Sequence, residues 1–179
     1  DAAAVLRAAN ELAGSPLDHA RLRRVAAGLG SDVPSQVEPA HALVSGTGDE
    51  VERVELPPMT LVLVPDERGL STAEVYAEAG RIGATRARLD LGAVQSLAAL
   101  PLDRLAAAME NDLEAAALSL RPELDDLRGA LLGHGALAAR VSGSGPTVFG
   151  VFAEARAAER AAAAISRGIV ARLRNNGAT

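Results

Sequence analysis

Residue types able to do chemistry are sparse in this chain and concentrate in three short segments. The first, G-L-G-S-D-V-P at residues 28–34, sets Asp32 in a turn between Gly30 and Pro34. Such an aspartate can satisfy nearby backbone N–H groups as a turn or capping residue, or stand beside a cleft as a proton acceptor or orienting carboxylate. The second, S-G-S-G-P-T-V-F-G, spans residues 142–150. Glycines at 143 and 145 leave the N–H groups around Ser142 and Ser144 unshielded, which suits an anion nest and equally suits a plain hairpin loop. A Walker-type phosphate loop is excluded, since there is no G-K-[ST] and no Lys. The third, N-D-L-E at 111–114, falls inside a helical pattern. At 100° per residue, Asp112 lies at the edge of the apolar stripe and Asn111 on the opposite face, so both are expected in solvent.

The remaining candidates narrow the chemistry by exclusion. His19, His41 and His134 are far apart, with no i, i+4 pair and no carboxylate at ligand spacing, so neither a metal site nor a Ser-His-Asp arrangement is supported. Zero Cys removes disulfides, thiolate metal sites and thiol nucleophiles together. Arg21, Arg23 and Arg24, like Arg86 and Arg88, read most simply as solvated faces. A formal charge of −5 supplies no global field for nucleic acid or an anionic membrane, and 2% aromatics offer no base-stacking platform. With 49% hydrophobic and 23% charged residues the composition is that of a soluble globular protein, expected in the cytoplasm. No apolar run approaches the roughly 18 residues of a membrane span.

These segments need elements to hold them. Residues 1–13 read as a helix with Val5, Leu6, Ala9 and Leu12 on one side, stopped by Gly14. Ser15-Pro16 should open a second helix with Leu22, Val25 and Leu29 buried, ended by Gly28 and Gly30. Pro34 denies Val33 helical geometry, so 31–34 should be a turn. Residues 41–45 and 50–56 read as a hairpin around S-G-T-G-D, and Pro57-Pro58 is the best domain boundary. Beyond it come a strand at 60–64, a helix opened by the capping box Ser71-Thr72-Ala73-Glu74 and carrying Tyr76, and a long helix over 101–120. Strands at 137–141 and 147–152, a helix at 154–168 and a strand at 169–174 close the chain. The order β, helices, β, β, α, β predicts a split βαβ, ferredoxin-like domain with helices inserted after its first strand, hence an α+β protein.

Taken together, D-A-A-A opening a helix at residue 1, G-S-D-V-P at 30–34, L-S-T-A-E-V-Y at 70–76, N-D-L-E at 111–114 and S-G-S-G-P-T-V-F-G at 142–150 form an ordered set. In order and combination it resembles the 4-diphosphocytidyl-2-C-methyl-D-erythritol kinases of the GHMP kinase superfamily. The resemblance covers nearly the whole chain. It implies a two-domain GHMP kinase fold, with residues 1–57 finishing a ribosomal-S5-like N-terminal domain and 58–179 forming the C-terminal domain.

The resemblance further implies ATP-dependent phosphorylation of the 2-hydroxyl of a cytidine diphosphate methylerythritol in non-mevalonate isoprenoid biosynthesis, with Mg2+ accompanying ATP. Asp32 matches the catalytic aspartate. Ser142, Gly143, Ser144 and Gly145 match a loop bracing the phosphate region. Tyr76 falls where an aromatic can stack on the cytosine, though a helix-core role is open to it, and Thr72 lies close by. Two departures stand out: the family's early catalytic Lys has no counterpart, and Ser35-Gln36 come after S-D-V-P where relatives carry an aromatic or apolar residue. In the family a helix opening like D-A-A-A stands directly after the ATP-phosphate loop, so the lobe carrying that loop is expected to be missing and the chain alone to be inactive. A kinase of homoserine, mevalonate or a sugar, or a non-catalytic module on the same fold, are the competing readings. Partners are expected to be small molecules, without nucleic acid or membrane, on a monomer or homodimer.

Overall fold

A computed structural model describes residues 1–38, 40–86 and 88–173. The chain divides into two compact units, one built from residues 1–56 and one beginning at Pro57.

In the first unit α1 (Ala2–Leu12) is followed by Gly14 and Ser15, both at positive φ. Asn10 ties this link down, donating to the Leu17 carbonyl at 2.9 Å and accepting from its N–H at 3.0 Å. Helix α2 (His19–Ala27) therefore starts later than Ser15-Pro16 suggests. Ser15 is committed to a left-handed conformation, and Asp18 takes the cap, accepting from Arg21 N at 2.8 Å. The face differs too. Leu22 and Ala26, one turn apart, are buried with Val37, while Val25 and Leu29 are exposed. Pro34 does not prevent a helix: α3 (Val33–Gln36) carries it in the first turn, where its missing N–H has no intrahelical partner to lose. Strands β1 (Ala42–Ser45) and β2 (Glu50–Arg53) pair antiparallel. Glu38 joins this hairpin to α2 through Arg53 and through His19 Nδ1 at 3.0 Å.

The second unit runs β3 (Met59–Val64), α4 (Thr72–Ile82), α5 (Leu91–Leu97), α6 (Leu102–Ala108), α7 (Glu114–Leu120), α8 (Glu123–Gly133), β4 (Ala138–Val141), β5 (Val148–Phe152), α9 (Ala155–Ala164) and β6 (Ile169–Leu173). The sheet order is β4-β5-β3-β6, antiparallel at every pairing, which is the split βαβ arrangement. Residue Arg174 of the expected last strand lies outside the described residues. Alternation sends Val62, Val64, Ala139, Val141, Val148 and Phe152 to one face, where they form a core with Ala116, Ala117, Leu124, Leu131, Ala158 and Ala161 of α7, α8 and α9. Gly150 lets α8 approach, since a Cβ there would stand 3.1 Å from Leu131 Cδ2.

The helix expected over 101–120 is broken. Met109 takes extended geometry (φ −64°, ψ 128°), and helix resumes only at Glu114. Asn111 accepts from Leu113 N at 3.0 Å, a local bond that competes with the helical ladder. The apolar stripe continues across the break, so periodicity alone does not register it. Leu120, at the end of the expected helix, is exposed.

Candidate functional site

In the second unit three segments that are far apart in sequence converge on the turn between β4 and β5. The turn closes on itself: Ser142 N donates to Thr147 O and Gly145 N to Ser142 O, both at 2.8 Å. Gly143 (φ 56°) and Gly145 (φ 80°) take the left-handed conformations this needs. The N–H groups of Gly143 and Ser144 have no hydrogen-bond partner among the described residues. Free, consecutive amides at an exposed turn suit an anion.

The neighbouring segments fix the turn from two sides. Asn111 Nδ2 donates to the carbonyls of Val141 and Gly143, each at 2.9 Å, so the break between α6 and α7 is where a side chain clamps the glycine turn. Glu114 Oε2 accepts from Val141 N at 2.8 Å and Glu114 Oε1 lies 3.4 Å from Arg128. On the other side, Thr72 Oγ1 and Ser144 Oγ share a hydrogen bond of 2.9 Å. Thr72 is the first residue of α4, whose start is capped by Ser71 accepting from Glu74 N. Tyr76 comes one turn later on the same side of the helix and is 58% exposed, so its ring is not a core contact. Leu70 packs beneath Gly145, its Cδ2 3.4 Å from where a Cβ on that glycine would stand.

Beside the turn lies a cavity of about 630 Å³, walled by Val94, Leu97, Leu105, Met109 and Phe149 and reaching Ser142 and Gly143. Arg140, opposite Phe149 in the β4–β5 ladder, donates to the carbonyls of Met109 and Ala139. Arg86 is exposed, as expected, but it is not free. It pairs with Asp112 at 2.5 Å and Glu110 at 2.6 Å, and these hydrogen bonds hold its guanidinium still more firmly protonated while drawing the Asp112 carboxyl below its usual range.

Asp32 belongs to the first unit and is exposed at the N-cap position of α3. Its carboxylate caps no backbone N–H. Ser31 Oγ donates to Asp32 Oδ1 at 3.3 Å, and Ser35 Oγ donates to the Asp32 backbone carbonyl at 2.9 Å. The turn thus holds the main chain and leaves the acid nearly unengaged. Sequence reasoning places Asp32, Thr72, Tyr76 and Ser142–Gly145 as candidates; the structure brings Thr72 and Ser144 into contact. Asn111, expected in solvent, is instead half-buried and turned onto the Val141 and Gly143 carbonyls, and its only sequence signal is a polar Asn-Asp pair interrupting helix formers. Among the described residues no three His, Asp or Glu side chains gather as a metal site.

The chain is similar to known proteins over most of its length. Residues 93–171 match the family model described as GHMP kinases C terminal. The chain is 44% identical over 173 residues to a 4-diphosphocytidyl-2-C-methyl-D-erythritol kinase of Salinispora tropica, covering 93% of this chain and 55% of the relative. It is 41% identical over 169 residues to the enzyme of that name from Rhizobium johnstonii, covering 92% and 54%. The chain therefore spans about half the length of these relatives. A crystal structure of a 4-(cytidine 5'-diphospho)-2C-methyl-D-erythritol kinase superposes with a TM-score of 0.73 at 30% identity, over 96% of this chain and 62% of that one. A homoserine kinase from Cytophaga hutchinsonii shares the fold, with a TM-score of 0.70 at 21% identity over 93% and 61%.

Proposed function

We propose, from the premise that the chain belongs to the GHMP kinases, that it forms part of an ATP-dependent kinase of the 2-hydroxyl of 4-diphosphocytidyl-2-C-methyl-D-erythritol, acting in isoprenoid biosynthesis. One observation carries the reading: L-S-T-A-E-V-Y, N-D-L-E and S-G-S-G-P-T-V-F-G meet at one turn through the Thr72–Ser144 and Asn111–Gly143 hydrogen bonds. The names of the similar enzymes support the same substrate. Residues up to 57 finish the N-terminal domain in this reading, and 58–179 form the C-terminal one.

Phosphoryl transfer asks mainly for positioning and charge neutralisation. Asp32, with its carboxylate free of capping duty, orients the acceptor hydroxyl and takes its proton. The free amides of Gly143 and Ser144 face phosphate oxygens, and the exposed ring of Tyr76, with Thr72 one turn away, stacks on the cytosine. ATP supplies the phosphoryl group. Mg2+ would arrive with it, since that ion is commonly held by substrate phosphates and one or two carboxylates rather than a dedicated protein cage. We place its action in the cytoplasm. Separately, no helix among the described residues is long and apolar enough to cross a membrane.

The test is transfer from labelled ATP by the complete gene product carrying this chain, offered the cytidyl substrate, homoserine and mevalonate in turn. Phosphorylation of homoserine or mevalonate but not the cytidyl alcohol would sink the proposal. Within it, Asp32→Asn should lower kcat by on the order of 10²–10⁴-fold with KM largely kept. A near-normal rate would return Asp32 to a turn role. The 179-residue chain by itself, lacking any Lys, should show little turnover, and phosphorylation by it alone would contradict that.

A further inference from the structure

The turn of the β1–β2 hairpin presses on the peptide that carries Asp32. A Cβ built on Gly48 would lie 1.9 Å from the Ser31 carbonyl oxygen, 2.6 Å from its carbon and 2.8 Å from Ser31 Cα. All three are main-chain atoms, and the first two belong to the Ser31–Asp32 peptide bond itself. No rotamer change can relieve that overlap. Gly48 also sits at φ 92°, and its N–H donates to Ser45 O at 3.1 Å, which anchors it in the hairpin. From the helix side, Ser35 Oγ and the Val33 N–H to Gly30 O bond grip the same loop. The Asp32 main chain is therefore held between α3 and a bare glycine face.

We propose that Gly48 is a positioning residue for Asp32: its missing side chain lets the hairpin serve as a backstop that sets where the carboxylate stands. This rests on the catalytic role proposed for Asp32. A methyl at residue 48 must move either the hairpin or the Ser31–Asp32 peptide by roughly 1 Å or more to reach ordinary contact. A misplacement of that size costs on the order of 10²-fold in rate when it falls on a reacting group.

Gly46 supplies the control. It lies in the same hairpin at φ 66°, so Gly46→Ala also carries left-handed strain, less than at residue 48 with its φ of 92°, and its Cβ would meet only the movable Asp49 and Glu50 side chains. In the complete gene product, Gly48→Ala should reduce kcat by about 10²-fold with KM for the alcohol within about threefold, and Gly46→Ala should reduce kcat by less than about threefold. In an Asp32→Asn background, Gly48→Ala should have little further effect, because both changes act through one carboxylate. Equal losses in the two glycine variants, a change confined to KM, or full additivity with Asp32→Asn would overturn the proposal. Crystal structures of both variants separate it from the functional reading: the Ser31–Asp32 peptide should shift by about 1 Å in Gly48→Ala and stay in place in Gly46→Ala. If the wild type phosphorylates none of the alcohols, the functional reading has failed. An unmoved peptide in Gly48→Ala would remove the backstop in any case.

Discussion

The clamp on the glycine turn is one side chain, so replacing Asn111 tests the site's construction most directly. Its amide gives both hydrogens to main-chain carbonyls, Val141 O and Gly143 O at 2.9 Å, and its oxygen accepts from Leu113 N at 3.0 Å. A typical hydrogen bond contributes about 0.5–1.5 kcal/mol net, and a buried acceptor left without a partner costs about 1–3 kcal/mol. Val141 is buried, whereas Gly143 is exposed and can turn to water. Asn111→Ala should therefore destabilise by about 2–4 kcal/mol. Asn111→Asp is the sharper change. It keeps the acceptor for Leu113 N but sets an ionised oxygen, which cannot donate, against two carbonyl oxygens. At neutral pH it should cost at least as much as the alanine, despite being nearly isosteric. Those carbonyls raise the folded-state pKa of the new carboxyl above its unfolded value. The loss relative to wild type should then shrink as pH falls through that raised pKa, when the protonated acid can donate one bond. Urea unfolding read as the midpoint at unchanged m, at matched pH for all three proteins, measures this. An Asn111→Asp protein as stable as wild type at pH 7, or a deficit that grows toward acid, would refute the donor role.

Two other expectations concern the same unit. Glu78 accepts from Arg81 at 2.6 and 2.7 Å and from Ser119 at 2.6 Å, and these bonds lower its carboxyl from an ordinary value near 4.5 to about 2. A depressed folded pKa gives stability that is present above pH 4.5 and lost as pH falls toward 2. Ser119→Ala should move the Glu78 midpoint upward while Arg81 keeps it below the ordinary value, read by carboxyl 13C NMR; an unmoved midpoint would deny the Ser119 bond. The two turn glycines should separate as well: Gly143→Ala meets open space and should cost about 1–2 kcal/mol for its positive φ. Gly145→Ala adds a 3.1 Å contact with Val141 Cγ1 and should cost more by thermal unfolding.

Features that depend on neighbours along the chain are the ones legible in the sequence. Strands β3, β5 and β6 come from apolar runs and alternation, and the α4 start comes from Ser71 and Glu74 at capping spacing. The failures have the opposite character. Helix periodicity runs straight through residues 109–113, because an apolar stripe on both sides of a break has the same spacing as one without it. Asn111 leaves the helix for partners 30 and 32 residues away, and that preference has no local signature. Ser15-Pro16 carries a strong local start signal, yet Asn10 fixes the link to Leu17 and Asp18 inherits the cap.

The candidate site shows the same division. Glycines at 143 and 145 announce a turn, but nothing in their spacing says that Ser144 meets Thr72, 72 residues earlier. Nor does the S-G-T-G-D motif reveal that one glycine shapes a turn and the other faces a peptide bond. Gly46 and Gly48 are both hairpin residues at positive φ and differ most in what lies opposite: solvent-side carboxylates in one case, the Ser31 main chain in the other. A glycine required by its own φ is satisfied by any residue that tolerates the left-handed region. One required by a neighbour's backbone tolerates nothing larger than hydrogen, and only coordinates distinguish the two.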